Sequence, residues 1–210
     1  MRSIILSVSI FAALCGLFLA AAVLAKNEGF MLAVVLLLML VVTGRLRSRY
    51  GTLLGVIAAP VVAFVAWRSW LLANHVHVPD RDYRLQDVFH PGYLGDRIGR
   101  LGTALRSLPH YLFDPGNLLL AVPLVLALVV VLLVAGAARR LALFSSGTLV
   151  LAFLGYAVIY WIGIPEIHFY LDSSAVRLMT DIGVAAAVLF PLLLAEALAV
   201  TRREEPPPRG

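Results

Sequence analysis

Charged residues and cysteine are both scarce in this sequence. Only 14% of the 210 residues are charged, and the single cysteine is Cys15. One cysteine excludes a disulfide framework and a thiolate metal site. A chain in which 61% of the residues are hydrophobic has too few polar groups to cover a water-soluble surface. The composition therefore predicts an integral membrane protein.

Six long apolar runs account for most of the chain. Most of them approach the roughly 20 residues that a helix needs to cross a bilayer, although the second is shorter. We therefore predict an all-α fold, a polytopic membrane helix bundle of about six transmembrane helices. The predicted spans are residues 4–25, 30–43, 53–72, 118–137, 141–162 and 179–200.

Arginines are concentrated after every second apolar run, at positions 45, 47 and 49, then 139–140, then 202–203. The positive-inside rule places these turns in the cytoplasm, so both termini are expected inside and a loop of about residues 73–117 outside. We predict one membrane domain over residues 1–201 and a disordered cytoplasmic tail over 202–210. The predicted location is the bacterial inner (plasma) membrane. A cleaved signal peptide is the alternative for the first run. The net charge of +5 reflects these turns, so no nucleic-acid partner is predicted.

The outer loop contains one helical pattern. Ile98, Leu101, Leu105 and Leu108 recur at helical spacing, and arginines occupy the other positions. This pattern predicts an amphipathic helix in the outer membrane interface over about residues 96–108, limited by Pro109.

Paired carboxylates occur at Asp80 and Asp82 in the same loop. Acids at this spacing can hold a divalent cation, or one of them can act as a general base, so both are candidate catalytic residues. The alternative is a pair of solvated loop acids. The histidines at 75, 77 and 90 could suggest a metal site, but histidines at this spacing in a loop without a fixed scaffold are not specific for metal binding, and no metal site is assigned to them.

Several charged residues lie at the ends of spans. Arg68, between Trp67 and Trp70, is interpreted as a side chain that reaches the interface. Asp181 and Glu196 lie inside the last apolar run, and Asp181 is four residues after Arg177, so the two share a helix face.

The segment 165–178 carries the strongest local pattern. Aromatic residues run into Ser173 and Ser174, which are predicted to cap the last helix, and Arg177 follows within its first turns. This stretch resembles the start of a late helix in membrane glycosyltransferases of the GT-C superfamily, which includes protein mannosyltransferases and aminoarabinose transferases. The resemblance at residue level covers about 167–178, and the arrangement of spans is similar to the C-terminal membrane portion of that group.

The resemblance implies a protein that handles a polyprenyl-phosphate-linked sugar at the outer leaflet. Arg177, with Arg97 and Arg100, would contact the lipid phosphate, and Asp80 or Asp82 would be the base. Family members are commonly longer and carry the catalytic acid in a large first outer loop. Here that loop is only Lys26–Gly29, and its only acid is Glu28. The expectation is therefore a partial or split enzyme with a second membrane subunit.

Two other classes remain open from the sequence. One is a non-catalytic membrane subunit or scaffold with an outer docking loop. The other is a transporter, which the sequence favours less because the middles of the spans contain almost no polar residues.

Overall fold

A computed structural model describes residues 2–25, 27–44, 50–76, 89–116 and 120–204. This part of the chain is helical and contains no strand. The helices are α1 (Arg2–Ala25), α2 (Asn27–Val42), α3 (Tyr50–Ala73), α4 (Pro91–Asp96), α5 (Ile98–Leu112), α6 (Ala121–Val134), α7 (Arg139–Ile162) and α8 (Ile167–Glu204).

The chain forms two compact units, Met1–Pro79 and Asp80–Gly210. In the first unit, α1 packs against α2 and α3. Phe30 of α2 stacks on Phe64 of α3, with 4.7 Å between the ring centroids. Gly29 permits close packing of the first two helices, because a Cβ there would lie 2.1 Å from the carbonyl oxygen of Ala22.

In the second unit, α8 packs against α5, α6 and α7. The interior is filled by apolar residues of all four helices, and the two largest fully buried side chains are Tyr156 and Tyr160 of α7. Helices α7 and α8 are joined by only four residues, 163–166, so they run antiparallel as neighbours.

Large apolar side chains are exposed along most helices of both units, for example Phe18, Val62, Leu72 and Val188. A protein in water rarely exposes so much contiguous apolar surface, whereas lipid covers it without cost. Three helices are long and apolar enough to cross a membrane: Val56–Ala73, Arg139–Ile162 and Ile167–Arg202. The chain is therefore a membrane protein, and the secondary structure of its described residues is helical.

Three further apolar segments are shorter than a full span. They are Ala13–Leu24, Gly29–Val42 and Ala121–Val134. At about 1.5 Å per residue, the 14 residues of the last segment extend about 21 Å, less than the ~30 Å hydrocarbon layer. Three of the six predicted spans thus correspond to helices that are long enough to cross a membrane, and a bundle of six spans is not confirmed.

The helix predicted near 96–108 is present as α5, but its predicted end at Pro109 is wrong. The helix continues to Leu112, and the Phe113 N–H donates to the Pro109 carbonyl at 3.0 Å. A proline so near the end removes only one hydrogen bond, and the burial of Leu112 holds the last turn in place. Ala104 and Leu108 are fully buried, so part of the apolar face packs against protein.

Candidate functional site

The polar groups of the second unit gather where α7 ends and α8 begins. The last carbonyl groups of a helix have no partner within the helix and must find one elsewhere. Here the Tyr93 hydroxyl donates to the Ile162 carbonyl at 2.8 Å, and the guanidinium groups of Arg97 and Arg100 donate to the carbonyls of Gly163 and Pro165. We call Tyr93, Arg97 and Arg100 the α7 cap.

The charge of the α7 cap suits its place. The C-terminal end of a helix carries a partial negative charge, so two guanidinium groups there stabilise α7 electrostatically. Burial lowers the pKa of Arg100, and repulsion by Arg97 lowers it further. The buried Nε of Arg100 has no hydrogen-bond partner among the described residues.

Aromatic rings fix the geometry of the α7 cap. The guanidinium carbon of Arg97 lies 4.2 Å from the ring centroid of Tyr93. The Trp161 indole donates to the Leu94 carbonyl at 3.2 Å, which ties the end of α7 to α4. These contacts hold α4 and the start of α5 against the end of α7.

The N-terminal end of α8 is capped by Glu166. Its Oε2 accepts a hydrogen bond from the Phe169 N–H at 2.9 Å. This bond, with one from the His168 N–H, lowers the pKa of Glu166. The prediction that Ser173 or Ser174 caps this helix is wrong, because both lie inside α8 and donate to the Tyr170 carbonyl. Helix α8 starts earlier because an acid three residues before Phe169 satisfies its first orphan N–H groups.

Arg177 lies ten residues after the first residue of α8, about 15 Å along the helix axis. It is therefore about three turns into the helix. Its side chain is exposed and shares a stripe with Val184 and Val188, which are 50% and 65% exposed. Seven and eleven residues are two and three helical turns, so these three side chains point the same way.

Two tyrosines of α7 reach polar groups of α8. The Tyr156 hydroxyl donates to Oδ2 of Asp181 at 3.2 Å. The hydroxyls of Tyr160 and Ser174 lie 2.8 Å apart. Because Ser174 donates its single proton to the Tyr170 carbonyl at 2.6 Å, Tyr160 is the donor to Ser174. Asp181 thus has a partner on α7.

Ser145 and Thr148 differ from the other helix hydroxyls. Both are fully buried, and neither has a hydrogen-bond partner in the described part of the chain. By contrast, Ser146 and Thr180 donate to the carbonyl four residues earlier in their helices.

The remaining predicted site residues are either outside the described part of the chain or away from this cluster. Asp80 and Asp82 lie outside the described residues, as do His77 and the tail from 205 to 210. Among the described residues, no group of three or more His, Cys, Asp or Glu side chains could hold a metal ion. Glu196 is exposed on α8.

Sequence reasoning found Arg97 and Arg100 but missed what they touch. Tyr93, Trp161 and Glu166 were also missed as members of the same cluster. Glu166 had a usable signal, since an acid directly after Pro165 and before an apolar helix favours an N-cap. The contacts from residues 93–100 to residues 162–165 join positions more than 60 apart, for which no periodic pattern exists.

Comparison of the chain with protein-family models, with curated proteins and with solved structures returned no match.

Proposed function

We propose that this membrane protein binds the phosphate of a polyprenyl-phosphate-linked sugar at the outer leaflet, as a GT-C-like part of a glycosyltransferase. The proposal includes about six spans in a bacterial inner membrane with both termini in the cytoplasm. A second membrane subunit and the pair Asp80 and Asp82 would complete the reaction, one carboxylate acting as base toward the acceptor hydroxyl.

The observation that carries the proposal is the position of Arg177 on α8. Before it, the exposed positions include the polar residues Glu166, His168 and Asp172 as well as Phe169 and Val176. After it, the stripe through Val184 and Val188 is apolar. We place this exposed guanidinium, where the surface changes from mixed polar and apolar to apolar, at the depth of lipid phosphates.

The length of α8 agrees with that depth. The apolar segment Ile167–Arg202 has 36 residues, or about 54 Å, whereas the hydrocarbon layer is only ~30 Å thick. About 20 residues therefore lie in hydrocarbon. If these are residues 179–200, then the first three turns of α8 stand above the lipid together with the α7 cap.

The chemistry of arginine suits a phosphate ligand. Its planar guanidinium can donate two parallel hydrogen bonds to phosphate oxygens and stays protonated. The α7 cap would add positive potential nearby through Arg97, whereas the charge of Arg100 is partly balanced by Glu166.

The test is direct binding of a polyprenyl phosphate to the purified full chain in nanodiscs, with the phosphate-free polyprenol as the ligand control. Arg177→Ala should weaken binding of the phosphate form by about 10- to 100-fold, the worth of one charged hydrogen-bonded contact. The affinity of Arg177→Lys should lie between those of wild type and Arg177→Ala, because the charge remains and the planar two-donor guanidinium is lost.

Two matched variants make this result specific. Arg106→Ala removes an exposed arginine of α5 and should leave binding unchanged. Asp181→Asn should also leave it largely intact. Unchanged lipid binding by folded Arg177→Ala protein would remove the support for the phosphate site.

A second candidate is a non-catalytic membrane subunit. One observation favours it: Arg97 and Arg100 donate to backbone carbonyls and so have a structural role. If that is their only role, Arg97→Gln and Arg100→Gln should lower thermal stability and leave polyprenyl phosphate affinity as it was. Weaker binding at unchanged stability would instead assign them to the phosphate.

A further inference from the structure

The first unit carries a separate cluster of aromatic and cationic side chains near the end of α3. Arg68 is exposed and lies five residues before the last residue of the helix, Ala73. Trp67 and Trp70 flank it in sequence and are 47% and 52% exposed. We call Trp67, Arg68 and Trp70 the α3 platform.

The rings of the α3 platform are ordered against each other. The Trp67 and Trp70 centroids are 5.4 Å apart, and the ring planes differ by only 12°. The Arg68 guanidinium carbon lies 5.7 Å from the Phe64 ring centroid. Since Phe64 itself stacks on Phe30 of α2, this contact ties Arg68 to a fixed part of the unit.

Arg68 has no acidic partner among the described residues. In this part of the chain its guanidinium makes a cation–π contact with the Phe64 ring. The indole N–H groups of Trp67 and Trp70 likewise have no acceptor in this part of the chain. The α3 platform therefore offers one guanidinium and two indole donors, all of which can donate and none of which can accept.

The surroundings set the depth of the α3 platform. Val61, Val62 and Val65 are each at least half exposed on the same apolar helix, so lipid chains cover this part of α3. Tryptophan prefers the boundary between chains and headgroups, where its ring is in hydrocarbon and its N–H is wet. Arg68 lies five residues before the end of the candidate span Val56–Ala73, so its long side chain can reach the headgroups.

We propose that the α3 platform binds the phosphate group of an anionic phospholipid. An anionic headgroup such as phosphatidylglycerol brings a net negative charge, whereas the phosphate of phosphatidylcholine is already compensated by its own cation. Arg68 would donate to phosphate oxygens, and the two indoles would donate to phosphate or ester oxygens. This inference depends on the membrane location alone and is independent of the site at Arg177.

Tryptophan fluorescence can test the α3 platform directly, because the sequence has only three tryptophans. In a Trp161→Phe background, the emission comes from Trp67 and Trp70. The full chain is placed in liposomes that contain phosphatidylglycerol or phosphatidylcholine with brominated chains, which quench nearby indoles. We expect a relative association constant about fivefold in favour of phosphatidylglycerol, the equivalent of about 1 kcal/mol for one arginine at a surface.

Substitutions at Arg68 identify the cause of the preference. Arg68→Gln should reduce the ratio to about one, and Arg68→Lys should retain part of it. Arg106→Gln, in the other unit, should leave the ratio near its original value. Equal quenching by both lipids in the Trp161→Phe protein, or a full preference in Arg68→Gln, would overturn the proposal.

Trp161→Phe removes the hydrogen bond to the Leu94 carbonyl, so a second measurement uses the unaltered chain. Native mass spectrometry from mixed-lipid nanodiscs should show retained phosphatidylglycerol adducts in excess of phosphatidylcholine adducts. Arg68→Gln should lose that excess, and its persistence there would contradict the proposal.

Discussion

Single charged side chains have opposite signs at the two helix ends that meet in the second unit. Glu166 accepts from N–H groups at the start of α8, and Arg97 and Arg100 donate to the Gly163 and Pro165 carbonyls, which directly follow α7. Both arrangements satisfy orphan backbone groups and match the sign of the helix dipole. The residues with the clearest local chemistry therefore fix the connection between the two helices.

Glu166 makes this connection sensitive to acid. Its pKa is lowered in the folded protein by the Phe169 and His168 N–H groups, so its stabilising effect is present above the ordinary carboxyl pKa and is lost as the pH falls through the lower folded value. Wild type should therefore be more thermally stable than Glu166→Gln at pH 7, and the difference should shrink as the pH falls below about 4.5. Melting curves of both proteins from pH 7 to pH 3 measure this, and a constant difference would contradict it.

The buried tyrosine bonds of α7 should each contribute to stability. Tyr160→Phe removes the donor to Ser174 while Ser174 keeps its bond to Tyr170, so the expected loss is about 1 kcal/mol. Thermal unfolding in detergent measures the change. Ser146→Ala is the matched control and should be close to neutral, because the carbonyl that Ser146 contacts is also within a helix. Equal stability of Tyr160→Phe and wild type would show that this bond is not needed.

At the scale of helices, hydropathy predicted where most elements lie and end to within a few residues, but not where α8 begins. The runs 53–72 and 141–162 correspond closely to α3 and α7. Helix α8 begins twelve residues before the predicted span at 179, because its start depends on the Glu166 cap rather than on apolar residues. Capping contacts use side chains and orphan N–H groups that a hydropathy average does not register.

The turn between α6 and α7 shows the same dependence on local backbone chemistry. Gly136, with φ of +67°, closes α6 as the Ala137 N–H donates to the Leu132 carbonyl at 3.0 Å. Two residues later Ala138 has φ of +43°, a left-handed conformation that a Cβ disfavours.

Ala138→Gly should therefore stabilise the protein by about 1 kcal/mol, since glycine adopts this conformation without the steric cost. The neighbouring Ala137→Gly, at a position without positive φ, should be neutral or destabilising. Chemical or thermal unfolding measures the stability of the two variants. A larger increase in stability from Ala137→Gly than from Ala138→Gly would refute the strain argument.

For the whole molecule, composition alone predicted the membrane class, and the exposed apolar surface of both units agrees with it. Periodicity could not predict the α7 cap, whose members are distant in sequence and meet only after α4 and α5 fold back on the hairpin of α7 and α8. The sequence thus predicted Arg97 and Arg100 as site residues, whereas the backbone carbonyls that they contact are known only from the structure.

The proposed topology can be tested with single cysteines in a Cys15→Ala background. A cysteine at Ser107 in α5 should react with an impermeant thiol reagent added outside intact cells, and a cysteine at Ser48 should react only after the membrane is opened. Labelling of the Ser48 position alone would reverse the orientation.

The most direct measurement of the proposed function is photo-crosslinking of the full chain in nanodiscs with a diazirine-bearing polyprenyl phosphate. Adducts are expected within about one turn of Arg177 on α8, competed by unlabelled polyprenyl phosphate but not by polyprenol. Arg177→Ala should reduce their yield by about tenfold, whereas Arg106→Ala should not. Adducts spread evenly along all helices, or competition by polyprenol as effective as by its phosphate, would contradict a lipid-phosphate site at Arg177.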